Sequence, residues 1–594
     1  TTVIRTHNNF TQGHRMYNAD ENDLRFAIHH VVGLDSVTNL SPFADYDAEI
    51  CDAVLTEAAR LATEVIAPIN QSGDTGSIWH SDNTVTTPEG FADAFKALGE
   101  GGWTGIGTDE EYGGQNMPAI LCAATREMWH SANMGLALCH LLTEGLIHAL
   151  QTSASEEQKQ TYVRPMAEGR WTGTMNLTEN QAGTDLAAIR TQAVPEGDHY
   201  RIKGQKIFIT YGEHDMAENI VHLVLARTPG APKGVKGISV FIVPKFLVNE
   251  DGSLGARNDV KCVSIEHKMG INGSPTAVLQ FGENDGAIGY LVGAENQGLN
   301  IMFNMMNHAR FGVGIQGLSI SNRAYYQALS YAQDRIQGTP LDRKSGDAII
   351  HHPDVMRLLA TMRAEIEAMR PLALYGATAL DRGHHDTGES KSSWQTRAEL
   401  MVPIIKGWMT ERSIGIASDG VQVHGGMGFI EETGAAQHLR DARILTIYEG
   451  TTAIQANDLM FRKTLRDQGV AVRALLDDIR VDADDALTTA TNSAQTALDH
   501  ILTGGLSTRE AAAVSVPYLM MLGYLTGGWM ALKNKRAAIA QQDSSNWDAN
   551  FLAAKIAHAD VFAAHSLPNV AALSQTILNG SQSIEAMDTS WFNT

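Results

Sequence analysis

The chain has 594 residues, of which 43% are hydrophobic and 19% are charged, and its formal net charge is -22. This composition is that of an ordinary globular protein, and the length predicts roughly three or four domains. The negative charge argues against a nucleic-acid-binding protein, because such a surface needs clustered Lys and Arg to displace counterions.

The first part of the chain has helical periodicity. Apolar residues recur at helical spacing between 54 and 65, and the pattern ends near Pro68. Further helices are predicted over 91–98 and 120–150. The polar segment 1–13 is expected to be frayed, and no basic and then apolar secretory segment is found there.

Around Trp171 the periodicity changes from helical to β. Short runs rich in β-branched and aromatic residues alternate with turn residues, which predicts an antiparallel sheet or barrel. The runs cover 173–178, 200–203, 206–210, 220–227, 238–243 and 276–281.

From Leu299 the pattern is helical again. Long helices are predicted over 301–333, 353–380 and 398–418, with a further segment after Tyr448, and short connections between them indicate a bundle. The Ala-rich region after about 466 is also helical. We therefore predict a mainly α protein with a central β domain. The predicted domains are an N-terminal helical domain (1–165), a β domain (166–288), a helical bundle (289–465) and a C-terminal helical extension (466–594).

One stretch needs weighing as a membrane span. Residues 511–532 carry no formal charge over about the length that crosses a bilayer. Pro517 and the pair Gly527-Gly528 lower its helix propensity and hydrophobicity. A buried or subunit-facing helix is the favoured interpretation, ahead of contact with a membrane surface and of a true span.

Cysteine and histidine usage argues against disulfides and metal sites. The four cysteines are scattered and lack any Cys-x-x-Cys spacing, which favours structural thiols in a reducing compartment, and hence a cytoplasmic location. The histidine pairs are adjacent and not three or four residues apart on one helical face, so no metal site is predicted. These residues are Cys51, Cys122, Cys139 and Cys262, and the pairs at 29–30, 351–352 and 384–385.

Residues 312–317 match the dinucleotide-binding pattern G-x-G-x-x-G. That pattern has meaning only between a strand and the start of a helix, whereas these glycines continue a predicted helix. We therefore interpret them as sites of close helix packing.

Two runs in the predicted β domain carry groups suited to binding a polar ring edge and a phosphate. Residues 176–185 end a strand and enter a turn rich in hydroxyls and exposed amides, and 206–210 end another strand with Phe208 and Thr210. Ordinary turn chemistry explains either run equally well.

The run Tyr448-Glu449-Gly450-Thr451 places one carboxylate between an aromatic residue and a glycine. Burial beside an aromatic face would raise the pKa of Glu449 toward neutrality, where it could remove a weakly acidic C–H proton. A helix start with Glu in its first turn is the alternative, and the short run alone does not decide between them.

Taken together, motifs spread over most of the first 465 residues resemble the acyl-CoA dehydrogenase family. The matching segments are 111–114, 177–185, 207–210, 268–276, 423–429, 440–443 and 448–451. Residues 16–34 and the long C-terminal extension are similar to the bacterial branch of roughly 600 residues. That branch includes fatty acyl-CoA dehydrogenases and 3-(methylthio)propanoyl-CoA dehydrogenases.

The resemblance implies FAD as cofactor and assigns residues to it. Thr178 and Thr184 would contact the isoalloxazine edge and the pyrophosphate, and Phe208, where many members carry Trp, would line the flavin with Thr210. Gln422 and Gly426 would meet the FAD of the neighbouring subunit, and Arg335 its pyrophosphate, although the sequence after Arg335 departs from the usual Lys-x-Phe-Gly continuation. Gly183, Gly425 and Thr451 lie in the same motifs and are assigned to the cofactor as well.

The resemblance also implies the chemistry. Glu449 matches the catalytic base that converts a short or medium acyl-CoA to the trans-2-enoyl-CoA, with the flavin as hydride acceptor and an electron-transferring flavoprotein as the next electron carrier. Arg310, Tyr448 and Gly450 would lie beside the substrate, and Met134 and Leu138 near the pocket floor, where helical spacing equally indicates simple core. An acyl-CoA oxidase would use the same residues, and a non-catalytic assembly protein on this fold is a further alternative.

The C-terminal helices are expected to cover the bundle face through which shorter family members pair dimers into tetramers. An uncharged surface as long as 511–532 needs a partner, and the chain's own bundle can supply it. This interpretation predicts a homodimer.

Overall fold

A computed structural model describes residues 17–593 of the chain. Segment 1–13, expected to be frayed, lies outside the described residues, as does Met16. The N-terminal part is helical, as predicted. Its elements are α1 (Glu21–Phe26), α2 (Asp35–Thr38), α3 (Ala48–Leu61), α4 (Asn70–Gly73), α5 (Phe91–Glu100), α6 (Ala119–Ala132), α7 (Met134–Ser153), α8 (Glu156–Gln158) and α9 (Arg164–Ala167), with the short strand pair β1 (Ile78–Trp79) and β2 (Val85–Thr86).

The helical stretch predicted over 120–150 forms two helices, α6 and α7. The chain leaves helical geometry at Asn133, whose side chain accepts a hydrogen bond from the Leu136 backbone N–H at 3.1 Å and so caps α7. The Asn133 side chain supplies the hydrogen-bond acceptor that α7 needs at its start, so the helix can break there. The apolar periodicity of the sequence continues through the break and therefore does not reveal it.

The β domain follows α9. Its strands are β3 (Trp171–Asn176), β4 (Gln192–Glu196), β5 (His199–Thr210), β6 (Asn219–Ala226), β7 (Ser239–Pro244), β8 (Phe246–Val248), β9 (Leu254–Arg257), β10 (Val260–Ile265), β11 (Thr276–Phe281) and β12 (Ala287–Leu291).

Eight of these strands form one sheet, in which β10, β11, β5, β12, β7, β6 and β3 follow one another and β4 pairs with β5. The prediction of an antiparallel sheet was wrong for one pair, since β3 and β6 run parallel. The two strands predicted at 200–203 and 206–210 are one continuous strand, because Gly204 and Gln205 stay extended and pair with β11.

Three long helices form the bundle, and two short ones follow. They are α10 (Gly298–Asp334), α11 (Pro353–His385), α12 (Gly388–His424), α13 (Ala435–Arg443) and α14 (Thr452–Asn457), continued by a π-helical segment, Asp458–Leu465. The helical interpretation of 312–317 is confirmed. A Cβ on Gly312 would lie 2.4 Å from Leu141, and one on Gly317 would lie 2.7 Å from the Met409 backbone. These glycines therefore let neighbouring helices approach closely.

The C-terminal extension packs on this bundle. Its helices are α15 (Val470–Asp482), α16 (Asp485–Thr503), α17 (Thr508–Ala513), α18 (Ser515–Ala540), α19 (Ala549–His565) and α20 (Asn569–Glu585). The uncharged stretch 511–532 lies mostly in α18, where Leu519 covers Gly407 and a Cβ on Gly523 would lie 2.2 Å from Trp408. Within 17–593, no helix combines the length and apolar character that crossing a bilayer requires.

A buried ionic network joins the N-terminal segment, the bundle and the extension. Arg370 on α11 donates to Glu127 on α6 at 2.7 Å and to Asp20 at 2.9 Å, and Arg363 lies 2.8 Å from Asp20. Lys555 on α19 forms an ion pair with Asp23 and lies 3.5 Å from Glu367. Because each of these charges is shielded from water, each depends on its partners.

Candidate active site

Glu449 lies in a tight turn between α13 and α14. Glu449 has φ +56° and Gly450 has φ +88°, so two successive residues adopt left-handed backbone geometry. The Thr451 side chain caps α14 by accepting from the Ile454 N–H at 3.4 Å. Glu449 thus precedes the helix cap, and the alternative that placed it in a first helical turn is wrong. A strained backbone at a non-glycine residue is typical of functional sites.

The surroundings of the Glu449 carboxyl group move its titration from the acidic range to near-neutral pH. Burial raises its pKa to about 7, against the opposing charges of Arg310 and Lys406. Among the described residues, these cations act on it through charge and not through a direct hydrogen bond. The carboxylate is therefore left available to accept a proton from another molecule.

Two side chains hold the backbone of this turn. Lys406 Nζ donates to the Gly450 carbonyl at 2.8 Å, and Gln455 Nε2 donates to the carbonyls of Glu449 at 3.3 Å and Gly450 at 3.4 Å. A Cβ on Gly450 would lie 2.8 Å from Gln455 and 3.7 Å from Arg310. Glycine is therefore favoured mainly by the backbone angle, and a side chain here would also displace the Gln455 amide that holds the turn.

Tyr448 points from the turn into the bundle. Its hydroxyl donates to the Gln316 side chain on α10, and Gln316 in turn lies 3.5 Å from His130 on α6. Met134 and Leu138, at the start of α7, are fully buried. Burial of these two is what a core residue shows, so their role at a pocket floor stays a prediction.

The predicted residues of the β domain lie near one another. The Ile207 N–H donates to the Thr178 carbonyl at 2.9 Å, which places Thr178 beside Phe208 and Thr210 at the end of β5. Phe208 has φ +60°, and 57% of the surface of this residue is exposed. Both the backbone angle and the exposure are unusual for a large apolar residue. Below this surface the buried Lys206 binds Glu179 at 2.8 Å and fixes the loop that follows β3. Gly183 and Thr184, at the tip of that loop, are exposed.

A second group of predicted residues lies at the far ends of the bundle helices. Gln422, Gly425 and Gly426 are exposed at the end of α12, and the space around a Cβ on either glycine is open. His424 beside them stacks on Tyr331 with ring centroids 4.5 Å apart. Arg335, exposed just after α10, donates its backbone N–H to the Tyr331 carbonyl at 2.9 Å. Gln422, Gly425, Gly426 and Arg335 therefore share one surface.

The chain thus assembles three sets of predicted residues: the Glu449 turn with Arg310 and Tyr448, the Thr178 and Phe208 surface, and the exposed glycine loop. The Tyr211 hydroxyl donates to the Gly135 carbonyl at 2.7 Å and so joins the β5 end to α7. Arg310 is buried, with its Nε atom lacking a partner among the described residues.

Several residues that build the site were not predicted: Lys406, Gln455, Gln316 and His130. Lys406 had a sequence signal that could have found it, since it is the one charged residue in the apolar run 401–408. For Gln316 and His130 no local pattern marks the contact, because their partners lie on other elements. Gln455 follows its partners by only five and six residues, but no motif marks it.

The exposed residues fit a flat aromatic cofactor with a phosphate-bearing tail. A half-exposed phenylalanine ring at strained backbone geometry offers an apolar wall, and open glycine loops let a ligand approach the backbone. Of the predicted hydroxyl residues, Thr178 and Thr210 are half-buried and Thr184 is exposed.

Four family models match the chain in order. They are the acyl-CoA dehydrogenase N-terminal domain at 51–170, the middle domain at 174–283, the C-terminal domain at 296–463 and an acetyl-CoA dehydrogenase C-terminal-like domain at 471–588.

Curated relatives and solved structures agree with these models. The chain is 47% identical to 3-methylmercaptopropionyl-CoA dehydrogenase of Ruegeria pomeroyi, over 92% of this chain and 95% of that protein. It is 35% identical to the broad-specificity linear acyl-CoA dehydrogenase FadE5 of Mycobacterium tuberculosis, over 97% and 100%. An acyl-CoA dehydrogenase of Bacillus anthracis complexed with FAD has the same fold, with a TM-score of 0.71 at 21% identity over 96% of this chain and 93% of that one.

Proposed function

The chain belongs to the acyl-CoA dehydrogenase family, and we propose that it converts a short or medium acyl-CoA thioester to the trans-2-enoyl-CoA with Glu449 as the base. The observation that carries this proposal is the Glu449 carboxyl group, whose pKa burial raises to about 7. A general base is most effective near its own pKa, so this carboxylate suits proton removal at neutral pH.

FAD is the cofactor of this family, and when bound it supplies the hydride acceptor of the reaction. The residues that would hold it in one subunit are Thr178, Phe208 and Thr210, with Gly183 and Thr184 at the loop tip. The neighbouring subunit would supply Gln422, Gly425, Gly426 and Arg335, and Thr451 is proposed to contact the cofactor as well. The open space at both glycines and the exposed Phe208 ring support this assignment.

The remaining chemistry falls to residues of the Glu449 turn. Glu449 takes the proton from the carbon next to the thioester carbonyl, and its backbone N–H stabilises the negative charge that develops on the carbonyl oxygen. Gly450 leaves room for the substrate because it has no side chain. Arg310 and Tyr448 line this position, and Arg310 also favours the ionised form of Glu449 through its charge.

We propose 3-(methylthio)propanoyl-CoA among the substrates, because the Ruegeria pomeroyi relative that is named for it is 47% identical over nearly the whole chain. A screen of acyl-CoAs from propanoyl to palmitoyl tests this. Pentanoyl-CoA is the matched control, since it has a methylene in place of the sulfur atom. We expect a higher kcat/KM for butanoyl-CoA than for palmitoyl-CoA, and the reverse order would contradict the proposal.

The proposed electron acceptor is an electron-transferring flavoprotein. Reduction of that protein on substrate addition, with no peroxide formed in air, would support a dehydrogenase. Stoichiometric peroxide would identify an oxidase.

We also propose that the chain is a homodimer whose extension takes the place of a second dimer on the bundle. The packing of Leu519 and Gly523 against α12 supports this, because it covers an apolar bundle face within one chain. Light scattering is expected to give twice the mass of one chain, and a tetramer would refute it.

A further inference from the structure

Lys406 is a fully buried lysine in the middle of α12. Burying an ammonium group away from water costs several kcal/mol unless other groups compensate for the lost hydration. Its immediate neighbours along the helix are apolar, and Glu411, further along α12, acts on it through charge. The hydrogen bond that replaces its hydration comes from an element packed against α12. Packing alone therefore does not explain why a lysine occupies this position.

The Nζ atom of Lys406 contacts the turn that contains Glu449. It donates to the Gly450 carbonyl at 2.8 Å, one residue after the proposed base. Glu449 has positive φ, and in a residue other than glycine such a conformation persists only when its surroundings fix it. Lys406 and Gln455 are the side chains that hold these carbonyls.

Charge is the second connection between Lys406 and Glu449. Lys406 favours the ionised form of Glu449, and Glu449 favours the charged form of Lys406. Burial lowers the pKa of Lys406 to about 8, so the group is still positively charged at neutral pH. Other charged or titratable groups act on the turn and its neighbours. They are Arg310 on α10, Glu411 on α12, Asp441 on α13, Tyr448 in the turn, and Asp458 and Arg462 after α14.

We propose that Lys406 is a positioning residue for this reaction: its ammonium group fixes the Gly450 carbonyl and supplies the positive charge that helps to keep the Glu449 carboxylate ionised. This inference rests on the proposed function, since it concerns the readiness of Glu449 to accept a proton. Arg310 on α10 acts on the same carboxylate, so two buried cations favour the ionised form of the base.

The test is the pH dependence of kcat/KM for Lys406→Met, which removes the charge and the donor at similar side-chain length. Without the charge, the pKa of the base rises, so the acidic limb should move upward by about one pH unit. The shift alone should cost about fivefold at pH 7, where about half of the wild-type base is ionised, and should cost almost nothing at pH 9. Lys391→Met is the control, because Lys391 lies on the same helix and donates to the His384 carbonyl at 2.7 Å on the exposed surface.

A uniform loss at every pH with an unmoved limb would overturn the inference, because it would show a packing role only. If the methionine variant does not fold with flavin bound, Lys406→Gln and Lys406→Arg decide by the same measurement. The glutamine variant should shift the limb and the arginine variant should not, and equal limbs would overturn the inference. Failure of the proposed function is distinguishable, since it would appear as retained activity in Glu449→Gln.

Discussion

Glu449→Gln is expected to lose at least about a hundredfold in kcat, and by the family's chemistry several orders of magnitude, because a neutral amide cannot accept the α-proton. The variant should still fold and hold FAD, since the residues proposed to bind the cofactor are untouched. Single-turnover reduction of bound flavin by butanoyl-CoA measures the chemical step directly. Retention of more than a tenth of wild-type activity would contradict the assignment.

Glu389→Gln is the matched control, because it makes the same change on the exposed start of α12. It should leave turnover unchanged.

In the wild-type enzyme, kcat/KM should rise as pH increases through about 7, since only the ionised base is active and its pKa is raised to about 7.

The same pKa shift has a stability consequence with a definite sign. The folded protein binds the Glu449 proton more tightly than the unfolded chain does, so this group contributes less stability as pH rises from about 4.5 to about 7. Glu449→Gln removes that cost. Its melting temperature at pH 8 is therefore expected to equal or exceed that of the wild type, which also shows that lost activity is not lost folding.

Arg370→Leu is expected to destabilise the protein by about 3–5 kcal/mol, because it leaves buried carboxylates without their cation. Arg370 donates to Glu127 at 2.7 Å, to Asp20 at 2.9 Å and to Asp23 at 3.2 Å, and none of the four residues is open to solvent. Denaturant unfolding followed by circular dichroism measures the loss, provided that the transition is reversible.

Arg357→Leu is the control for that experiment. It lies on the same helix and pairs with Asp354 at 2.8 Å, but both side chains are at least half exposed, so its loss should cost about 1 kcal/mol or less. The double variant Arg370→Leu/Glu127→Leu should be less destabilised than the sum of the two single variants, because one unpaired charge is removed. Equal costs for Arg370→Leu and Arg357→Leu would show that the buried network contributes no more than a surface pair.

Local sequence determined which elements form and where several of the motifs stand. Helical periodicity predicted the bundle helices, and the glycines of 312–317 were correctly interpreted as packing sites because no strand precedes them. The resemblance to the acyl-CoA dehydrogenase family came from motifs that lie far apart but keep their order, and the family is confirmed. The domain boundaries and the individual cofactor residues stay predictions.

Tertiary structure decided the features that the periodicity of the sequence does not encode. The parallel pairing of β3 and β6 depends on chain topology, and the break at Asn133 depends on a cap that one side chain provides. The sequence alone placed Glu449 beside an aromatic residue and a glycine, which suggested a base. Its pKa is raised to about 7 because the folded chain buries the carboxyl group, against the opposing charges of the buried cations that α10 and α12 bring to the turn. The Lys406 bond to Gly450 likewise exists only because α12 packs beside the turn.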